Sequence, residues 1–207
     1  MASSDPSAPT TAIAWFRRDL RLEHQPAWDA ATEAADRVLA LYVLDPVALA
    51  TAGPARRDLL FGHLSALDAH LRSLGGGLLV RSGDPVRIVA DVARAVGASG
   101  VHANADVSGY ARRRDRAVAD SLAPGTALDL RWGSHVHPPG AVVSASTGRT
   151  HRVFTPYFRA WSATVTRPWP DGGEADVVDP GDLPASVGAE PVPAAASEPV
   201  MPPGADA

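Results

Sequence analysis

Few polar side chains in this 207-residue chain stand at the spacings that common catalytic devices require. His135-Val136-His137 is the one close histidine pair; at spacing two in a predicted loop, with no acidic third ligand nearby, it reads as solvent-exposed rather than as a metal centre. Asp45 and Asp84 each precede a proline, where a turn or helix cap accounts for them without an acid/base pair. Neither a GxGxxG fingerprint after a strand nor a GxSxG elbow occurs. The absence of cysteine excludes disulfides, thiolate zinc sites and cysteine nucleophiles. All 19 basic residues are arginine, which excludes a Walker A lysine and Schiff-base chemistry. No catalytic residue and no metal ligand is assigned.

The elements that could position the remaining polar groups are clearer. Thr11 to Phe16, Val38 to Leu44, Gly77 to Val80 and Gly100 to Ala103 are short apolar runs suited to strands buried on both faces, with Thr126 to Trp132 a fifth, less apolar one. Between them, Leu60, Leu64, Leu67, Leu71 and Leu74 recur in steps of four and three on one helical face, ending at Gly75-Gly76-Gly77. Asp84-Pro85 offers an N-cap and a proline at the first helical position, Ile88, Val89, Val92 and Val96 a buried stripe, and Gly97 a C-terminal stop. A further helix is predicted over about Gly109 to Leu122, and a shorter one after Gln25-Pro26. This β-α-β-α rhythm predicts an α/β fold, a doubly wound five-stranded parallel sheet. Residues 1–11 are read as a disordered start, 12–169 as the domain, and 170–207, rich in proline, alanine and glycine, as a disordered tail.

In such a sheet, ligands bind at the carboxyl ends of the strands where strand order reverses. That directs attention to the loops Arg17 to Gln25, Asp45 to Ala55 and Asn104 to Gly109. A planar ring needs donors and acceptors for its edge and flat surfaces for its faces, and Arg17, Tyr42, Arg56, Asn104 and Asp106 supply the polar part. Each has a structural alternative: Arg17, Arg18 and Asp19 as an ion-pair lock on the loop, Asp106 as a cap for the helix near Gly109, and Tyr42 as core. The run Arg112 to Arg116 reads as a solvated or interdomain helix face rather than a nucleic-acid site, and the net charge of -4 argues against strong independent DNA binding. No apolar run is long enough to span a membrane, and neither a charged start nor an apolar export stretch is present, so a cytoplasmic protein is expected.

Collinear blocks then change the weighting. Trp15 to Leu22 reads WFRRDLRL, Leu44-Asp45-Pro46 reads LDP, Gly53 to Arg57 and Leu67-Asp68 lie on the following helix, Gly83-Asp84-Pro85 reads GDP, and Tyr110 to Asp115 reads YARRRD. Pro138-Pro139-Gly140 and Val153 to Trp161 complete the series. Across residues 12 to 170 the chain resembles the N-terminal α/β domain of class I cyclobutane pyrimidine dimer photolyases, in the photolyase/cryptochrome family. The resemblance implies a Rossmann-like domain that holds a light-harvesting antenna chromophore. In that family a larger helical domain holds FAD and the flipped-out dimer, and antenna excitation reaches reduced FAD, which donates the electron that splits the dimer. Arg56 and Asp106 match the positions where 8-hydroxydeazaflavin-type members bind their pigment, and Arg17 matches a pocket-lining arginine; methenyltetrahydrofolate or a flavin are the alternative pigments. His24-Gln25 stands where the family usually has Asp-Asn, and Val107-Ser108-Gly109 replaces a segment that often carries an aromatic or acidic residue.

The helical FAD-binding domain is not in these 207 residues, so three readings stand. One is an antenna-binding module partnered by a separately encoded FAD-binding helical photolyase domain, touching DNA only indirectly. The others are a truncated, inactive photolyase remnant and a stand-alone flavin or nucleotide binder used in signalling. On the first two, Tyr157, Phe158 and Trp161 form a docking surface without its usual cover.

Overall fold

In a computed structural model, which describes residues 9–196, the chain forms a parallel sheet covered by helices on both faces. The order along the chain is β1 (Thr11–Phe16), α1 (Pro26–Ala34), β2 (Arg37–Leu44), α2 (Pro46–Ala50), α3 (Pro54–Ser73), β3 (Leu78–Ser82), α4 (Pro85–Ala95), β4 (Gly100–Asn104), α5 (Gly109–Ser121), β5 (Ala127–Arg131), α6 (Phe154–Ala163) and the two-residue β6 (Asp176–Val177). Strand order is β3-β2-β1-β4-β5. Every ladder is parallel, as a sheet built from crossover helices requires.

Side-chain alternation sorts the strands into two cores. Ala12, Ala14 and Phe16 of β1, with Val38, Ala40, Tyr42 and Leu44 of β2, pack with Trp28 of α1 and Leu64, Leu67 and Leu71 of α3. Ile13, Trp15, Leu39, Leu41 and Val43 face the other way, onto Ile88, Val89 and Val92 of α4 and Val118 of α5. Each fully buried side chain of this size contributes about 1.5–3 kcal/mol, so residues such as Leu39, Leu41, Leu64 and Leu71, all at 0% exposure, fix which face each element presents. The helix ends follow the predicted chemistry. Asp84 accepts from the Val86 N–H at 3.0 Å, Pro85 begins α4, and Gly97 adopts φ +60° just past its end.

The tail differs from the sequence expectation. Val177 and Val178 are 3% exposed, and β6 pairs in parallel with Arg37 and Val38 of β2, on the stretch that β3 leaves free. Gly76 makes this possible: a Cβ there would lie 2.4 Å from Val177. Val187 joins the second core, and Glu190 then closes over the outer edge of β3, its N–H donating to the Val80 carbonyl at 3.0 Å. The Glu190 carboxylate accepts from the Ser82 N–H at 2.8 Å and its hydroxyl at 2.5 Å. Residues 176–190 are thus a strap over an edge strand, a place where an uncovered backbone invites foreign pairing. Composition misled here because a few valines at the right register suffice to anchor an otherwise polar segment. At the other end, Thr10 is held by Asp36, which accepts from its N–H at 2.8 Å, so order begins before residue 12. Residues 1–8 and 197–207 of the expected disordered ends lie outside the described residues.

Helix α6, not read as an element from its periodicity, has no buried residue. Among the described residues, no helix is long and apolar enough to cross a membrane.

Candidate pigment cleft at the sheet switch point

Strand β1 is flanked by β2 on one side and β4 on the other, so strand order reverses between β1 and β4. Beyond their carboxyl ends lies a cleft of about 250 Å³. Trp15 to Asp19 form one wall, Asn104 to Val107 the other, and Gln25, Ser134 and His135 complete it.

The polar groups of the cleft are tied to one another. Asn104 is the hub: its Nδ2 donates to Asp19 Oδ2 at 2.8 Å and to Gln25 Oε1. Gln25 Nε2 in turn donates to the Asp19 carbonyl at 2.8 Å, and Ser134 Oγ donates to Asp19 Oδ2 at 2.9 Å. Gln25, which departs from the family's usual loop residue, therefore joins the loop to β4. These bonds fix the amide orientations and leave Asn104 Oδ1 buried without a partner. His135 Nδ1 is likewise buried and unpartnered. Gly133 permits the third wall: a Cβ there would sit 2.2 Å from Asn104 Nδ2.

A second network lies behind the first. Arg17 is 9% exposed and donates to Asp115 Oδ1 at 2.6 Å and to the Asn104 carbonyl, while Arg114 donates to the same Asp115 oxygen at 2.9 Å. Burial lowers Arg17 from the ordinary arginine value, with Asp115 opposing the shift. Both guanidinium groups lie over the Trp15 ring, at 4.8 and 5.0 Å from its centroid. At the rim, Arg18 pairs with Asp106 at 2.9 Å, and Asp106 Oδ1 accepts from the Ser108 N–H at 2.8 Å. Burial pushes the Asp106 carboxyl up, but the Ser108 hydrogen bonds and the charges of Arg18 and Arg17 outweigh it, holding the group below the ordinary carboxylate range.

Of the sequence-predicted site residues, the structure brings Arg17, Asn104 and Asp106 to the cleft and leaves Tyr42 and Arg56 outside its walls. Tyr42 belongs to the core, 8% exposed, its phenol pushed up to about 12 by burial. Arg56 is exposed on the first turn of α3. Asp106 does not cap α5; Ser108 does, accepting from the Ala111 N–H at 3.2 Å. Arg17 and Asp19 do lock the loop, as the structural alternative held, through Asp115 and Asn104. The arginine run divides: Arg114 turns inward with Asp115, while Arg112, Arg113 and Arg116 remain exposed. Missed altogether was His135, read as exposed and in fact half-buried in the third wall. Its nearness to the PPG block was a signal, but loop residues carry no periodicity that tells which way they point.

Fold, switch-point cleft and motif blocks can be set against known proteins. The family model for DNA photolyase matches residues 12–174. The chain belongs to the DNA photolyase family. A deoxyribodipyrimidine photo-lyase of Streptomyces griseus is 40% identical over 168 residues, covering 76% of this chain and 36% of the relative. An uncharacterised 31.6 kDa protein of Synechococcus is 39% identical, covering 72% of this chain and 53% of its own length. This chain therefore spans about half of the one relative and about a third of the other. Among solved structures, a bacterial class III photolyase from Agrobacterium tumefaciens superposes with a TM-score of 0.74 at 31% identity, covering 88% of this chain and 38% of that one. An archaeal photolyase from Sulfolobus tokodaii, solved with two FAD molecules, shares the fold at a TM-score of 0.70 and 23% identity.

Proposed function

We propose that the cleft between β1 and β4 binds a planar antenna pigment, most suitably 8-hydroxydeazaflavin, and that the domain serves light-driven repair of cyclobutane pyrimidine dimers by harvesting light for FAD held elsewhere. The observation that carries this reading is that Asn104 and His135, which both line one cleft, each hold a buried polar atom without a partner, Oδ1 and Nδ1. A buried acceptor left without a donor costs about 1–3 kcal/mol, a penalty that a ligand N–H removes. A ring bearing an N–H and a carbonyl has the groups to satisfy both once the two side chains turn toward it: an N–H for Asn104 Oδ1, and a carbonyl for the His135 ring when its proton is on Nδ1. Trp15 and Phe16, from opposite faces of β1, are both among the lining residues, and Asp106 with Arg18 closes the rim. When bound, such a pigment would supply absorption in the near ultraviolet and visible and pass its excitation onward. The protein's part is to orient the ring and exclude water.

The partner surface follows from α6. Phe154 is 74% exposed and Phe158 52%, and Phe154, Phe158 and Trp161 stack in series, with centroids 5.8 and 6.4 Å apart. Such a stack on a helix with no buried residue suits docking of the FAD-bearing helical body.

Titration of 8-hydroxydeazaflavin into the purified chain, followed by absorbance, tests the pigment reading, with methenyltetrahydrofolate and FAD titrated in parallel. Saturable binding that an Asn104→Ala, Asp106→Ala double variant loses by about a hundredfold, the worth of two hydrogen bonds, is expected. Saturable binding of the folate or of FAD alone would replace the deazaflavin, and no binding of any of the three would overturn the reading.

A further inference from the structure

Trp15 is the side chain of the cleft lining that is easiest to oxidise, and it is 3% exposed, part of the second core at the base of β1's carboxyl end. A light-excited heteroaromatic ring is a strong one-electron oxidant. Contact with an indole normally ends its excited state: the indole gives up one electron and becomes a radical cation, the ring gains that electron, and the excitation is lost. An antenna needs the opposite, an excited state that outlives its transfer to a distant acceptor.

We propose that Arg114, together with Arg17, holds Trp15 in its neutral form and so prevents it from quenching the excited pigment; the proposal rests on pigment binding in this cleft. The two guanidinium carbons lie 4.8 and 5.0 Å from the Trp15 ring centroid. At that range a cation is attracted to the electron-rich face of neutral indole, and it repels the positive charge that oxidation would create. Both groups are held in place: Asp115, 5% exposed, accepts from Arg17 at 2.6 Å and from Arg114 at 2.9 Å through the same oxygen. Its single negative charge is shared between two cations, so the triad keeps a net positive charge against the indole. Arg114 also lies over Tyr110, at 5.7 Å from the ring centroid, and the Tyr110 hydroxyl donates to Asp45.

Arg114 is not among the cleft-lining residues, so its charge can be removed without touching the ligand's contacts. Arg17 keeps Asp115 paired in the process. The experiment is time-resolved fluorescence and transient absorption of 8-hydroxydeazaflavin bound to wild type, Arg114→Gln, Arg114→Lys, Trp15→Phe and the Arg114→Gln, Trp15→Phe pair. Arg114→Gln is expected to shorten the fluorescence lifetime at least about fivefold, with a tryptophan-radical absorption appearing as the emission decays. Arg114→Lys, which retains the charge, should restore most of the lifetime, and adding Trp15→Phe to Arg114→Gln should restore all of it. A purely structural role for Arg114 would alter affinity or stability while leaving the lifetime of the bound pigment unchanged, and that result would overturn the proposal. So would a short lifetime in the double variant. Failure of wild type to bind any of the three pigments would instead remove the pigment reading and this proposal with it, an outcome visible in the titration before any lifetime is read; if the folate or FAD alone binds, that pigment is the probe.

Discussion

The switch-point cleft and the face of α6 solve opposite problems with the same chain. In the cleft and just behind it, nearly every polar group finds a partner within the domain: Asn104 with Asp19 and Gln25, Ser134 with Asp19, and behind them Arg17 and Arg114 with Asp115. The exceptions, Asn104 Oδ1 and His135 Nδ1, are therefore informative. On α6, Phe154, Phe158 and Trp161 stack in series, Trp161 and Tyr157 meet His137 and His151 edge-on, and Phe154 and Phe158 remain more than half exposed. A built, rigid pocket with two open valences suits a small ligand, whereas an uncovered aromatic stack suits a large apolar partner. The contrast means that mutations in the first region should be read in stability and ligand affinity together, and mutations in the second in association alone.

The largest effect is expected at Asp115. Asp115→Ala leaves Arg17 and Arg114 buried without their shared carboxylate, and breaking such a pair costs about 3–5 kcal/mol, measurable as a lower midpoint in urea unfolding. A loss under about 1 kcal/mol would mean that water reaches the pair and that the cleft is less closed than described. Next comes Gly133→Ala, whose new methyl would fall 2.2 Å from Asn104 Nδ2. Overpacking of this kind costs about 1–3 kcal/mol, and because Asn104 must shift, ligand affinity should fall with stability. If stability fell while affinity held, Asn104 would be removed from the ligand's contacts.

How much of this was legible in the sequence depends on what encodes each part. Strands and crossover helices were legible because burial on both faces forces apolar runs, as in Val38 to Leu44, and because Asp84-Pro85 and Gly97 mark helix ends chemically. Arg17, Asn104 and Asp106 were legible because the switch-point rule names the loops after β1 and β4. His135 was not, since its position depends on how a long connection after β5 folds back, and Gly133 reveals its purpose only when Asn104 is seen beside it. Nor was the inward turn of Arg114: the four arginines at 112, 113, 114 and 116 look alike in sequence, and helical phase against a strand that is distant in the chain decides which one meets Trp15. The strap over β3 was hidden for a related reason, its three valines being diluted among proline, glycine and acidic residues.

Acid should act on the strap before it acts on the core. Burial raises the Glu190 carboxyl, but the hydrogen bonds from Ser82 and the charge of Arg81 outweigh it, so the folded-state value lies below the ordinary glutamate value. A depressed carboxylate contributes stability that is fully present above its unfolded value and is lost as pH falls through the folded one. Asp106 is depressed in the same sense at the cleft rim. Lowering the pH through the acidic range should therefore reduce protection at the Ser82 and Glu190 amides first, with exchange measured relative to the intrinsic rate at each pH. The same change at the fully buried Leu39 and Leu41 amides should require global unfolding. Protection that falls together at all four would show that the strap and the sheet unfold as one unit.

The smallest effect on stability is expected at α6, and there the smallness is the point. Phe158→Ser removes a ring that is 52% exposed and stacked on Phe154 and Trp161, so little buried area is lost and the urea midpoint should move by less than about 0.5 kcal/mol. If the stack is a docking surface, the same substitution should weaken binding of an FAD-bearing helical photolyase domain by about tenfold or more in a pull-down or titration, because a large aromatic side chain at an interface commonly contributes over 1 kcal/mol. A substitution that costs stability but leaves association intact would reverse the assignment, making α6 part of the domain's own packing and confining its function to the cleft.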